Sequence, residues 1–194
     1  MTDPVFDLEA AATGLEAVVA GITDDQLTAP TPCEGLTVRD VLIHVLDLAE
    51  AFRQAATKEA VGRSAAPETG PHRALADDWR TRIPAQLKAL VAAWREPGAR
   101  DGDTEAGGVA LPAAVMAVIA LDEVVIHGWD LARATGQPFR PADKDLTMLM
   151  ELLRDTPPEG TPGMFGPTVG VAEDAPLWDR VLGLTGRDPS WTAA

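Results

Sequence analysis

The uncharged apolar run from Val109 to Leu121, continued by DEVVIHGWDLARATG, constrains the fold more than any other stretch of this chain. It is too short to span a bilayer, which takes roughly 20 apolar residues, and it meets Asp122 and Glu123 at once. A helix that is apolar around most of its circumference has to be wrapped by other elements. Leu111-Pro112 places a proline near the first turn, where a missing N–H costs little, and Gly136 with Pro138 beyond supplies a stop. The run therefore predicts a central buried helix ending near Gly136.

The rest of the chain divides into further helical segments at its prolines and glycines. The first runs from about Val5 to Ala20 and stops at Gly21. Asp24, Asp25 and Gln26 lead into a loop, APTPCEGL, that two prolines and a glycine keep out of helix. Thr37 and Asp40 have the spacing of a capping box, with Asp in place of the usual Glu, and open a second helix to about Thr57. Ala60 to Pro71 reads as a mobile connection. A third helix is expected over His72 to Arg95, kinked or split at Pro84. RDGDTEAGG reads as a flexible acidic loop, and a fifth, amphipathic helix covers Pro141 to Asp155. The tail from Thr156 should wrap the bundle, with a short helical turn near Ala175 to Leu184. No sustained alternation argues for a sheet. The expected fold is all-α, a four-helix bundle with an extra C-terminal helix and an irregular tail, in one domain over residues 1–194.

A formal net charge of −14 argues against a phosphate-backbone partner and against anionic lipid. Cys33 is the only cysteine, which excludes an intramolecular disulfide and a Cys-rich metal site. The opening MTDPVFDLEAAATG lacks a basic n-region, so a cytoplasmic location is expected. Lysine occurs only at 58, 88 and 144 against many arginines, and alanine is abundant, a bias of GC-rich genomes.

The chemistry concentrates on the predicted helices. With Glu123 at zero on a helical wheel, His127 falls about 40° away and Asp130 about 20° to the other side, in the sector of Met116, Ile119 and Ala120. On the second helix His44 shares its face with Val41, Leu48 and Ala51. Each piece has an ordinary explanation, a satisfied core histidine for His44 and a local i,i+4 pair for Glu123 with His127. Together on two core helices, the three favour a metal site with open positions, because a buried carboxylate without a partner is costly. Asp130 and Asp47 each follow a candidate histidine by three residues. Asp130 could orient the His127 imidazole, whereas Asp47 reads as a surface or capping carboxylate. His72 reads as an exposed helix-end residue. Cys33 reads as a small buried thiol, with a thiolate favoured by a helix start as the alternative. Trp129 could line a pocket wall.

The run TPCEGLTVRDVLIHVLDLAEAF resembles the second-helix motif of the DinB / mycothiol-dependent maleylpyruvate isomerase N-terminal-domain superfamily. ALDEVVIHGWDLARATGQP resembles its later metal-binding helix, and FGPTVGVAEDAPLWDRVLGLTGRDPSW the tail of an actinobacterial metal-binding subgroup. The resemblance implies a four-helix bundle holding a divalent metal, zinc first and nickel second, on His44, Glu123 and His127. The glutamate leans toward the mycothiol branch, since many DinB-like members use three histidines. Two departures stand out. Leu36 replaces a common Trp, and the full-length isomerase's extra C-terminal domain has no counterpart in these residues. The implied function is a metal-dependent, mycothiol-type S-transferase or isomerase acting on a small electrophile. A hydrolase using metal-bound water and a non-catalytic stress or binding module are the alternatives. The implied partners are a small-molecule substrate and a low-molecular-weight thiol, with a homodimer through a helix face allowed.

Overall fold

A computed structural model describes residues 6–65, 73–161 and 164–193. Its elements are α1 (Glu9–Gly21), α2 (Val38–Ala56), α3 (Trp79–Arg95), β1 (Asp103–Ala106), β2 (Val109–Pro112), α4 (Ala113–Thr135), α5 (Asp143–Leu153) and α6 (Leu177–Leu184). The first four helices form the bundle: α2 packs on α3 and α4, and α1 closes the other side against the same two. Helix α4 is the central one, buried on nearly every side from Met116 to Ala134. Helices α5 and α6 pack on each other, and α5 lies against the outside of α4. One hydrophobic cluster runs from Phe6 to Leu182. The expected helical bundle is thus the observed architecture, with two helices, α5 and α6, beyond it and a small hairpin before α4. Among the described residues, no helix is long and apolar enough to cross a membrane.

Helix α2 begins where its cap predicts. The Thr37 N–H donates to Asp40 Oδ2 at 2.9 Å, and the Asp40 N–H returns a bond to Thr37 Oγ1 at 3.4 Å. Two orphan donors of the first turn are so satisfied, and this end sits at the rim of the main cavity. Helix α4 stops at Gly136, whose φ of +69° is the left-handed cap conformation that glycine adopts without steric cost. Pro84 lies inside α3 without splitting it. The expected early start of α3 is not observed, since 73–78 are irregular up to Trp79. His72 lies outside the described residues.

The acidic loop expected before α4 is instead a hairpin. β1 and β2 pair antiparallel, with Ala106 opposite Val109. Gly107 and Gly108, at φ +58° and +79°, form the two-residue turn whose twist suits antiparallel strands. The apolar run therefore divides: Val109 lies exposed on β2, and the buried helix begins only at Ala113. A 3-10 turn at Asp24–Thr28 also precedes the predicted loop.

The tail is laid over one end of the bundle by α6. Val169 N–H donates to the Gly183 carbonyl at 2.9 Å, and a Cβ at Gly183 would stand 2.7 Å from the Val169 carbonyl oxygen. The Val171 Cγ2 methyl would be nearer still, at 2.6 Å, and the Val169 backbone leaves little room to relax. Gly183→Ala is expected to destabilise the protein by about 1–3 kcal/mol, the range for overpacking a fitted contact, despite alanine's better helix propensity. Chemical denaturation checks this, and an unchanged or raised midpoint would show that the tail is not clamped there.

Candidate metal centre

Helices α2 and α4 face each other so that His44, Glu123 and His127 converge. Glu123 Oε2 lies 3.4 Å from His44 Nε2 and 3.1 Å from His127 Nε2. The two imidazole rings meet edge-to-face at 4.7 Å between centroids. All three ligand-type atoms fall within 4.8 Å of one another. Donors held at about 2.0–2.1 Å from a tetrahedral ion stand roughly 3.3 Å apart, so both measured edges suit one divalent cation. Two imidazole nitrogens and a carboxylate oxygen are ligand types that zinc and nickel, among other divalent ions, accept. The residues present therefore fit the metal that the sequence resemblance implies.

Electrostatics hold the cluster together without any ion. Burial opposes charge on both partners, but the hydrogen bonds from His127 and His44 keep Glu123 well below the usual carboxylate range. Burial likewise opposes the His127 cation, and its bonds to Asp130 and Glu123 overcome this and push its pKa up to about 9.

Asp130 is in contact with the His127 imidazole, three residues before it on the same helix face. Its Oδ2 lies 2.9 Å from His127 Nδ1, which assigns the Nδ1 proton to that contact and turns Nε2 toward Glu123. Asp130 is fully buried, and its negative charge has a partner that sequence reasoning missed. Arg187, from the loop after α6, donates to Asp130 Oδ2 at 3.0 Å and to Oδ1 at 3.4 Å. A third guanidinium bond, 2.7 Å to the Thr185 carbonyl, fixes the fork. Burial works against the Asp130 charge, and His127 with Arg187 still holds its carboxyl below the usual range. The sequence carried one clue: an aspartate on an inward stripe needs a buried cation, and Arg187 follows the flexible Gly186 in the tail.

The trio opens into a cavity of about 1010 Å³ between the N-terminal half of α2, the middle of α4 and the tail. Asp122 is its second unforeseen feature. This carboxyl is 1% exposed, and neither oxygen has a hydrogen-bond partner among the described residues. Burial, with the neighbouring Glu123 charge, pushes its pKa up to about 8. Cys33 is half-buried in the cavity wall and so is not a core thiol. Its sulfur, His127 and Asp130 make a second cluster of ligand-type atoms within 4.8 Å. That cluster suits a cation less well, because Asp130 is already tied to Arg187 and burial pushes the Cys33 thiol up to about 11. The thiolate alternative for Cys33 is disfavoured on the same ground.

Two further expectations change. Asp47 is at the cavity and forms a two-pronged ion pair with Arg73, one prong at 3.0 Å. Trp129 does not line the cavity. It is buried against Trp178, edge-to-face at 6.4 Å, with the Arg133 guanidinium 5.8 Å from its ring.

Comparison with known proteins shows the family and the fold of the chain. Two uncharacterized proteins of Mycobacterium tuberculosis (strain H37Rv) are similar over much of the chain. One is 29% identical across 90% of this chain and 88% of its own length. The other is 33% identical across 78% of this chain and 65% of its own length. The crystal structure of the mycothiol-dependent maleylpyruvate isomerase shares the fold, with a TM-score of 0.57 at 18% identity over 73% of this chain. The match spans 64% of that enzyme's length. The sequence profile of the mycothiol maleylpyruvate isomerase N-terminal domain matches residues 8–132, from the start of the bundle through the Glu123, His127 and Asp130 face of α4. By that match, the chain belongs to the mycothiol maleylpyruvate isomerase N-terminal domain family.

Proposed function

We propose that this protein holds a divalent metal, zinc before nickel, on His44, Glu123 and His127, and that it transfers or isomerises a small electrophile with the help of a mycothiol-type thiol. The observation that carries the metal is the convergence of one carboxylate oxygen between two imidazole nitrogens at 3.4 and 3.1 Å. Family membership supports the thiol, as does the GC-rich composition. When bound, the cation supplies Lewis acidity that lowers the pKa of a sulfur donor, so that a thiolate is available at neutral pH.

The chain's own residues have separate tasks. Glu123 balances positive charge between the two histidines. Asp130 holds the proton on His127 Nδ1, so that Nε2 would offer its lone pair to the ion once its own proton is displaced, and Arg187 holds Asp130 in place. The tail segment with Phe165 and Pro167 walls one side of the cavity and limits water there. Cys33, held as a thiol, does not compete as a nucleophile at neutral pH.

The test is elemental analysis of protein purified without chelator, beside Glu123→Ala, followed by incubation with mycothiol and a panel of small electrophiles. One equivalent of metal in the wild type, loss of it in the variant and thiol-dependent turnover are the expected results. No metal in protein offered zinc and nickel overturns the metal reading. Turnover that ignores the thiol points to hydrolysis instead.

A further inference from the structure

Deepening that reading of the same cavity, we propose that its substrate is uncharged or cationic and rich in hydrogen-bond donors, and that the site discriminates against dicarboxylates. The walls decide this by charge. Besides Glu123, the cavity is lined by Glu34, Asp40 and Asp47 and by the Asp122 carboxyl, against which stand Arg73, Arg187 and His127, the last held between Glu123 and Asp130. Neither guanidinium is available to receive a carboxylate. Arg187 is buried with both donor edges committed to Asp130 and Thr185. Arg73 is forked onto Asp47. A bidentate arginine clamp is the usual protein answer to a substrate carboxylate, and both candidates for that role are spent on the protein's own acids.

In the metal-free protein the His127 cation is likewise spent on the protein's own acids, Glu123 at 3.1 Å and Asp130 at 2.9 Å. Every lysine and arginine of the sequence lies in the described residues, and no third one lines the cavity. A divalent ion on the trio would be offset in part by Glu123, with three further acids still facing the space beside Asp122. The overall charge of −14 adds a long-range field that repels an approaching dianion.

Asp122 gives an independent reason for donors on the ligand. Its carboxyl is buried, lines the cavity and has no hydrogen-bond partner for either oxygen among the described residues. An unmet buried acceptor is costly, and a carboxyl offers an acceptor oxygen in either protonation state. A ligand amide, amine or hydroxyl placed over α4 would satisfy it. The wall also has an apolar side, with Leu36, Ile43 and Phe165, which suits a compact carbon skeleton.

A charge series on one skeleton tests the proposal: maleamide (neutral, two amides), maleamate (one carboxylate) and maleate (two). Dissociation constants from ligand-observed NMR are measured on zinc-loaded and on metal-stripped protein. Maleamide is expected to bind about tenfold or more tighter than maleate, with maleamate between, in the metal-stripped form, and the preference should shrink in the zinc-loaded form, where an open metal position accepts a carboxylate. Asp47→Asn loosens the hold on Arg73 and removes an acid, so it should tighten maleate several-fold and leave maleamide nearly unchanged. Glu34→Gln should move maleate the same way. Equal or tighter binding of maleate by the metal-stripped wild type, or no measurable maleamide binding, overturns the proposal. Failure of the metal reading is seen separately, as an absence of bound zinc, and the binding order of the stripped protein still decides the substrate class.

Discussion

Zinc titrated into the metal-free protein at pH 7 is expected to release about one proton per ion, and its affinity to rise about tenfold per pH unit up to about pH 9. The reason is the state of His127. With its pKa pushed up to about 9, it is a cation at neutral pH, bonded on one side to Asp130 and on the other to Glu123. A metal needs the neutral imidazole, so binding has to displace that proton. From pH 9 to pH 7 the cost is roughly two factors of ten, or about 3 kcal/mol at 1.36 kcal/mol per unit. The stability of the metal-free protein should have the opposite slope. Its His127 pKa is raised above the ordinary 6.5, so the contribution is complete below about pH 6.5 and is lost as pH rises through about 9. Chelator-treated protein therefore loses thermal stability toward alkaline pH, while zinc protects it more strongly there. Calorimetry in buffers of different ionisation enthalpy, with melting curves from pH 6 to 9.5, reads both effects. A proton count of zero would mean that His127 is not displaced by the ion.

Arg187→Met should cost the metal-free protein about 3 kcal/mol, the lower end of the range for removing one partner of a buried ion pair. Asp130 is fully buried, and without the guanidinium only His127 remains to compensate it. For a chain of this size the melting temperature should fall by about 6–12 °C. The sign with pH follows from Asp130, whose pKa is depressed in the folded state. The loss is therefore fully present above about pH 4, the ordinary aspartate value, and shrinks as pH falls below it. Adding Asp130→Asn should restore most of the stability of Arg187→Met, since the buried charge is then gone, but lower zinc affinity by about 10–100-fold by releasing the His127 ring. A double variant as unstable as the single one would mean that Arg187 acts through packing alone.

Much of the bundle was legible because its signals are local. Thr37 and Asp40 announce the start of α2, and Gly136 with Pro138 announces the end of α4. The hairpin was missed although Gly107-Gly108 is a turn signature, because four-residue strands are too short to show alternation. The start of α3 was misplaced by several residues, since 73–78 carry helix-compatible residues but pack irregularly. The division of labour among the acids was also invisible. Asp122, Glu123 and Asp130 look alike in sequence, yet one is orphaned, one faces two imidazoles and one is clamped by an arginine.

Residue spacing alone puts His44, Glu123, His127 and Asp130 on inward faces of two helices, because a 3.6-residue period sets side-chain direction within a few turns. The sequence also carried the family resemblance. It takes the packed chain to bring the trio on α2 and α4 within one ion's reach, to carry Arg187 to Asp130 across 57 residues, and to tie the cavity's arginines to its own carboxylates. Those outcomes depend on which buried charges the packed chain can bring together, and no local pattern encodes that choice.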